Sequence, residues 1–249
     1  MEQRKIEIYE YFKTVILTVA IIVSIVIVST AFVNRNKESE IINVTGLGSK
    51  DFESDLLVWS GSFYRLNTDI KKAYEELYND QKAIIEFLKE KDVAQNEYVL
   101  SSVTINKEYE SVTDKENNQR QVFKGYSLQQ KVTIESKDIN KIESVSREIT
   151  DLINKGVEFY SNEPEYYYTK LSELKMELIE SATNNAKERA EAIAGKSGSK
   201  LGKLKYANMG VVQILGRNSN EDYSWDGIYN TNTRLKTATI TMKLQFGIK

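Results

Sequence analysis

The sequence predicts an α+β fold with largely antiparallel sheet and about three long helices, preceded by one N-terminal transmembrane helix. The first observation behind this is that strand-like segments come in adjacent pairs, separated by amphipathic helical segments. Such an order is typical of antiparallel sheets with helices packed on one side. The second observation is a single long uncharged segment near the N-terminus.

This uncharged segment holds twenty residues, beginning at Thr14 and ending at Val33, and thirteen of them are Val, Ile, Leu or Phe. As a helix it is roughly 30 Å long, the thickness of the hydrocarbon core of a bilayer. We therefore predict that it spans the lipid bilayer once. A cleavable signal peptide is the alternative, because Ser29, Thr30 and Ala31 are small residues at cleavage-like spacing. The apolar segment is longer than a signal usually has, which favours a retained signal-anchor.

The charges that flank the span predict its orientation. Three cations precede it and two follow it: Arg4, Lys5, Lys13, Arg35 and Lys37. Cations favour the cytoplasmic side, so residues 1–13 are predicted to be a short cytoplasmic N-terminus. Residues 34–40 are then a linker, and residues 41–249 form one domain in the periplasm or outside the cell.

Composition excludes several functions. The chain has no cysteine and no histidine, so thiol nucleophiles, disulfides, the usual zinc sites and His-dependent triads are absent. Its net charge is −2, with Lys and Glu interleaved along the helical segments, which offers no surface for nucleic acid. We expect no catalytic residues, no cofactor and no metal, and hence a protein that is not an enzyme.

The first half of the predicted domain begins with two strands and a helix. Residues 41–47 form a strand that ends in a turn at Gly46-Leu47-Gly48, and residues 53–65 form the next strand. Apolar residues at helical spacing then predict a helix over residues 69–91, with Asn67 or Thr68 as its N-cap.

A second pair of strands flanks a polar hairpin loop over residues 113–120. One apolar face is predicted for the first strand, comprising Val99, Val103, Ile105 and Tyr109. The second strand has a corresponding face formed by Val122, Tyr126, Leu128, Val132 and Ile134.

Two further helices and several strands complete the pattern. A helix over residues 138–155 has Ile153 among its inward residues and Gly156 as its C-cap. A tyrosine-rich strand contains Pro164, the only proline, and is predicted to be interrupted there or to lie at a sheet edge. A helix over residues 171–196 repeats small or apolar residues every four positions, at Leu174, Leu178, Ala182, Ala186, Ala190 and Ala194. Strands near 203–208 and 211–215 precede a last, strictly alternating strand over residues 237–248.

The chain resembles the SIMPL-domain family of bacterial periplasmic and envelope proteins over residues 41–249. Three features carry the resemblance: the opening strand through Gly46-Leu47-Gly48, Gly125-Tyr126 opening a strand, and the alanine-rich helix that leads into Ala194-Gly195 and Leu201-Gly202. The resemblance implies an α+β fold, export to the cell envelope, a link to envelope integrity or stress, and, in some relatives, ring-like or channel-like homo-oligomers. It implies no active site.

The loop over residues 217–233 is the strongest candidate contact site. It carries Tyr223, Trp225 and Tyr229 among Asn, Ser, Asp and Gly, and long loops between strands are uncommon unless they bind something. Aromatic rings there suit a subunit contact or a sugar-stacking surface. The alternative, that the rings fold back over the core, is equally compatible with the sequence.

Three hypotheses of function follow. The first is a membrane-anchored envelope protein that self-assembles as a homo-oligomer or acts as a scaffold. The second is a binding or sensing module that contacts an envelope protein or saccharide through the 217–233 loop. The third and weakest is a hydrolase using carboxylate pairs such as Glu163 with Glu165 or Glu221 with Asp222.

Overall fold

The computed structural model describes residues 2–35, 40–113, 117 and 119–249, without the side chains of residues 2–10 and 33–35. Over these residues the chain forms four α-helices and ten strands in antiparallel sheets, which confirms the α+β prediction. The helices are α1 (Glu2–Arg35), α2 (Ile70–Glu90), α3 (Ile139–Glu148) and α4 (Leu171–Lys196). The strands are β1 (Ile41–Glu53), β2 (Leu56–Asn67), β3 (Tyr98–Leu100), β4 (Thr104–Thr113), β5 (Gln119–Ser136), β6 (Phe159–Ser161), β7 (Glu165–Tyr167), β8 (Leu201–Met209), β9 (Gln213–Gly216) and β10 (Leu235–Ile248).

Helix α1 contains the predicted span. Its segment Tyr11–Phe32 has 22 residues and a mean hydropathy of 2.8, so it is long and apolar enough to cross a membrane. The predicted linker over residues 34–40 lies mostly outside the described residues, since 36–39 are among those the structure does not describe. Residues 34 and 35 continue the helix.

The chain divides into two compact units. One comprises Met1–Gly48, Ser181–Gly210 and Thr241–Lys249, and the other comprises Ser49–Glu180 and Val211–Ile240. Three elements, β1, β10 and α4, run along the chain from one unit into the other. That residues 41–249 act as one domain stays a prediction.

In the first unit, the strands follow the order β1-β10-β8, which leaves β8 at the edge of the sheet. The alanine face of α4 is buried there, with Ala182, Ala186 and Ala190 fully inaccessible to solvent. The predicted alternation of the last strand is confirmed, because Met242, Leu244 and Phe246 are buried on one face.

In the second unit, the sheet has the order β3-β5-β2-β6, with β4 paired to β5 and β7 to β2. The core lies between this sheet and helices α2 and α3. Alternate residues of β2 and β5 supply one side, and the amphipathic faces of the helices supply the other. Its fully buried members include Leu57, Phe63, Ile84, Leu88, Leu128, Val132, Ile134 and Ile142. Burial of these apolar side chains is the main stabilising contribution to the unit.

The turn predicted at Gly46-Leu47-Gly48 is wrong, because β1 continues through both glycines to Glu53. A Cβ at position 46 would lie 2.0 Å from the carbonyl oxygen of Ala182 and 2.7 Å from the Cβ of Ala186. Gly46 therefore permits close approach of α4 to the strand and does not end it.

The paired strands before α3 also differ from the prediction. The first is divided into β3 and β4, and Val99 is 70% exposed. A β-bulge between Glu108 and Tyr109 shifts the register against β5, so Val122 lies on the face opposite to Leu128 and is exposed. Of the predicted loop over residues 113–120, positions 114–116 and 118 lie outside the described residues.

The helices agree closely with prediction. Helix α4 has the predicted bounds, and all six of its predicted inward residues are buried. Helix α3 continues as a 3-10 helix over Ile149–Lys155 and ends at Gly156, whose φ of 78° is left-handed as a C-cap requires. In that tighter helix Ile153 turns outward and is exposed, contrary to prediction. The N-cap of α2 is Asp69 and not the predicted Asn67 or Thr68.

Candidate functional site

The segment between β9 and β10 is an ordered loop that contains the three predicted contact residues. Its returning part runs alongside β9: the N–H of Ile214 donates to the carbonyl of Ile228 (2.8 Å), and the N–H of Asn230 donates to the carbonyl of Ile214 (2.9 Å). Backbone hydrogen bonds of this kind fix the base of the loop. Side chains of Gln213, Glu221 and Asn230 hold the remainder.

Gln213, the first residue of β9, is buried beneath the tip of the loop. Its Nε2 donates to the carbonyl of Ser224 at 2.6 Å, and its Oε1 accepts from the N–H groups of Ser224 (3.3 Å) and Ile228 (3.1 Å). One side-chain amide therefore satisfies three backbone groups that the loop would otherwise leave unpaired.

Glu221 and Asn230 connect the start of the loop to its end. The Glu221 carboxylate accepts from the N–H of Gly216 (3.0 Å), from the hydroxyl of Ser219 (3.2 Å) and from the side-chain amide of Asn230. The hydrogen bond from the N–H of Gly216 is the main reason why the pKa of Glu221 is lowered, because it stabilises the ionised carboxylate. The Oδ1 of Asn230 accepts in turn from the N–H and the hydroxyl of Thr233, at 3.0 and 2.8 Å.

Lys236 lies under this network and is fully buried. Its ammonium donates to the carbonyl of Thr233, the last part of the loop before β10. Burial disfavours the charged form and lowers the pKa of Lys236 to about 8, although the charge of Glu221 acts in the opposite direction.

The three predicted contact residues have different environments. Tyr229 is half-buried: its hydroxyl oxygen accepts from the N–H of Tyr168 at 2.8 Å, and its ring centroid lies 6.2 Å from that of Tyr167. Burial raises the pKa of its phenol. Tyr229 therefore joins the loop to the tyrosine-rich segment, whereas Tyr223 and Trp225 are 67% and 97% exposed.

Trp225 stands on a tight turn. The N–H of Gly227 donates to the carbonyl of Ser224 at 3.2 Å, and Gly227 has a φ of 88°. A Cβ on Gly227 would lie 2.7 Å from the side chain of Val211, so only glycine fits there. Because Gln213 holds the backbone on both sides of Trp225, the indole is presented to solvent from a fixed position.

This arrangement suits contact rather than catalysis. An exposed indole and phenol on a hydrogen-bonded loop can fill a pocket on a partner or stack on the apolar face of a sugar ring. Both carboxylate oxygens of Glu221 accept hydrogen bonds from groups in and beside the loop. The carboxylate of Glu165 accepts from the Tyr167 hydroxyl at 2.9 Å. Among the residues that the structure describes, no group of three or more Asp or Glu side chains is placed to hold a metal ion.

Sequence reasoning missed Gln213 and Lys236. For Lys236 a signal existed, since the alternation of β10 places position 236 on the same face as Ala238 and Ile240. A lysine on a buried face is rare unless it has a polar partner. For Gln213 no comparable signal is present, because its role depends on the path of the loop above it.

A second exposed surface lies on the β4–β5 hairpin. Every side chain of β4 is exposed. Aromatic residues form edge-to-face contacts there, with ring centroids 5.8 Å apart for Tyr109 and Phe123 and 5.1 Å apart for Phe123 and Tyr126. Ile105 extends this apolar surface on the same face and is 53% exposed. Clustered exposed apolar residues mark interaction surfaces more often than isolated ones do.

Comparison with known proteins gives one family. The model of the SIMPL family, described as a protein of unknown function (DUF541), matches residues 42–241. A search of the curated proteins finds no match.

Proposed function

The chain belongs to the SIMPL family, and on that premise we propose that it is a membrane-anchored envelope protein that acts by self-assembly or scaffolding and not by catalysis. The observation that carries the proposal is Trp225, which is 97% exposed on a loop fixed by hydrogen bonds. A large rigid aromatic side chain loses little conformational entropy on binding and is typical of the residues that dominate interfaces.

The anchor supports the location of the protein. The helix segment Tyr11–Phe32 is mostly apolar, with Lys13 as its one charged residue, and all its side chains are exposed, as a lipid-facing surface requires. The excess of cations before it favours a cytoplasmic N-terminus. We accordingly propose a single-pass membrane protein with residues 41–249 in the periplasm or outside the cell, in a role linked to envelope integrity or stress.

Self-association is favoured by the amount of exposed apolar surface. Besides Trp225, the hairpin residues Ile105 and Tyr109 are each more than half exposed. An interface between copies would remove such residues from water. A homo-oligomer of this chain is therefore the first candidate for the partner of these surfaces.

A second candidate is a saccharide or protein of the envelope that binds the loop. Tyr223 and Trp225 lie two positions apart, both are exposed, and Asp222 and Asp226 beside them are exposed as well. Exposed aromatic rings with neighbouring acceptors are the groups that carbohydrate recognition uses. This candidate makes the loop a sensing or binding surface.

Replacing Trp225 with alanine separates the two candidates. Light scattering measures the mass of the assembly that the full chain forms in detergent. Calorimetry measures the affinity of the chain for soluble peptidoglycan fragments. If Trp225 is central to an interface, truncation weakens association by roughly 30-fold or more, the effect of losing about 2 kcal/mol.

A fall in mass at unchanged folding supports self-assembly through the loop, and a loss of fragment binding at unchanged mass supports the binding module. Met176→Ala is the matched control, because Met176 is also an exposed apolar side chain, at 65%. If both mass and fragment binding survive Trp225→Ala, the loop is not the contact site.

A further inference from the structure

Lysines gather at the end of the first unit that is joined to the anchor. From residue 192 to residue 210 the chain carries four lysines and no Asp or Glu. The last nine residues, 241–249, add two lysines and again no acidic residue. Five of these lysines, all exposed, define what we call the basic end: Lys196, Lys200, Lys203, Lys205 and Lys249.

Backbone pairing places the basic end close to Glu40, the first residue after the anchor helix that the structure describes. The N–H of Ile248 donates to the carbonyl of Glu40 at 3.0 Å. Lys200 and Lys249 exchange two backbone hydrogen bonds, of 3.0 and 2.8 Å. The start of β1, the start of β8 and the end of β10 therefore meet at one end of the sheet.

The covalent chain limits how far this end lies from the membrane. Five peptide steps separate Arg35, the last residue of α1, from Glu40. Even fully extended, they reach at most about 17 Å. The basic end is thus held within a short distance of the headgroup layer wherever α1 spans the bilayer.

The lysines of the basic end have no carboxylate partners within the described part of the chain. Elsewhere lysines do pair with acidic residues, as Lys141 does with Glu97 at 2.9 Å. Exposed apolar residues alternate with the cations on β8, where Leu204 is 50% and Tyr206 is 56% exposed. Lysine with interleaved leucine and tyrosine is a composition that suits the membrane–water interface.

We propose that the basic end contacts the anionic phospholipid headgroups of the membrane that α1 spans. Charge complementarity carries the proposal: unpaired ammonium groups, at the tethered end of the domain, face a layer of phosphates. Each lysine near an anionic surface strengthens such a contact roughly fivefold. The inference rests on the proposed membrane anchor and adds a second, electrostatic attachment that orients the domain at the surface.

The test uses the full chain in lipid nanodiscs, one set made of phosphatidylcholine alone and one containing 30% phosphatidylglycerol. Since the chain has no cysteine, a single reporter can be introduced as Ser197→Cys, at an exposed position between Lys196 and Lys200. A dye on this thiol reports its proximity to an acceptor on the lipid headgroups by energy transfer.

We expect high transfer in the anionic nanodiscs, lower transfer in phosphatidylcholine, and loss of the difference at high salt. A variant that combines Lys200→Gln, Lys203→Gln, Lys205→Gln and Lys249→Gln should reduce the ratio of docked to undocked domain by at least about tenfold. The matched control replaces four exposed lysines of the second unit that have no ion pair with any residue the structure describes, at positions Lys72, Lys137, Lys170 and Lys175, and should leave the ratio unchanged.

Three results would overturn the inference. Equal transfer in both lipids shows that the contact is not electrostatic, and equal transfer from the two quadruple variants shows that these lysines do not make it. Failure of the chain to enter nanodiscs at all contradicts the anchor, and with it both the proposed function and the inference. Entry into nanodiscs without dependence on anionic lipid contradicts the inference alone.

Discussion

Lys236 shows at the scale of a single residue how the polar loop is held in place. Its neighbours at alternate positions, Ala238 and Ile240, are buried and apolar, whereas Lys236 is a buried cation. The ammonium donates to the carbonyl of Thr233, and its burial lowers the pKa to about 8. A buried charge costs stability, which here is offset in part by the hydrogen bond to Thr233 and by the charge of Glu221.

We predict that Lys236→Met changes how stability depends on pH. The folded chain loses the Lys236 proton near pH 8, whereas the unfolded chain keeps it up to the ordinary lysine value of 10.5. Between these values the unfolded state binds more protons, so this lysine makes the free energy of unfolding of the wild type rise with pH, by up to about 1.4 kcal/mol per unit. The variant lacks this contribution.

Denaturant unfolding of the full chain in detergent at pH 7.5, 8.5 and 9.5 measures the effect. The stability of the wild type relative to Lys236→Met should increase across the series. Lys72→Met, at an exposed position, should show no such change relative to the wild type. Parallel pH profiles for wild type and Lys236→Met would contradict the assignment.

Gly46 illustrates packing between elements. The alanine face of α4 has no side-chain bulk beyond Cβ, and Gly46 has none at all, so helix and strand approach until a Cβ at position 46 would lie 2.0 Å from the Ala182 carbonyl oxygen. The hydrogen bond from the N–H of Leu47 to Asn185, at 3.2 Å, lies beside this contact. Close packing of this kind tolerates no added methyl group.

Gly46→Ala should therefore destabilise the protein by about 3 kcal/mol, through forced separation of β1 from α4. Gly195→Ala is the matched control. Gly195 lies in α4 with no atom within 4 Å of a Cβ built there, so alanine should stabilise the helix by up to about 1 kcal/mol. Thermal unfolding of the two variants measures both effects, and equal melting temperatures would contradict the packing explanation.

At the scale of the whole molecule, we predict that the apolar helix is retained as an anchor that holds the protein at the membrane. The uncharged segment is longer than the apolar part of a usual signal peptide, and α1 continues through Ser29, Thr30 and Ala31 as regular helix. A continuous helix offers a signal peptidase no extended backbone at that site.

We predict that the protein isolated from membranes still carries the segment before Ala31 and resists extraction at alkaline pH. Intact-mass spectrometry of the membrane fraction measures this. A chain that begins just after Ala31 would contradict the prediction of an anchor.

Val23→Lys places a charge near the middle of the span. It should reduce membrane insertion, because a charge costs about 3 kcal/mol there.

The sequence was sufficient wherever a local pattern determines the structure. The bounds and buried face of α4, the Gly156 cap, the interruption at Pro164 and the alternation of β10 were all predicted, because each follows from helical or strand periodicity or from backbone constraints of Gly and Pro. The SIMPL resemblance was likewise present in short motifs and is confirmed by the match over residues 42–241.

Other features depend on which distant residues meet, and a single sequence does not specify that. In the sequence, Gly46 is typical of a turn. Its role in close packing becomes visible only from its contact with α4, some 140 positions later in the chain. The bulge that moves Val122 to the other face is a property of strand pairing and not of either strand.

By itself, therefore, the sequence determined the fold class, the apolar helix long enough to span a membrane, the family and the loop that carries the aromatic residues, since these depend on composition and on patterns within one segment. Only the tertiary structure decided that Tyr229 is half-buried while Trp225 is exposed, and that five exposed lysines gather at one end of the first unit. Burial and charge density are properties of surfaces, and surfaces form only when separate segments pack together.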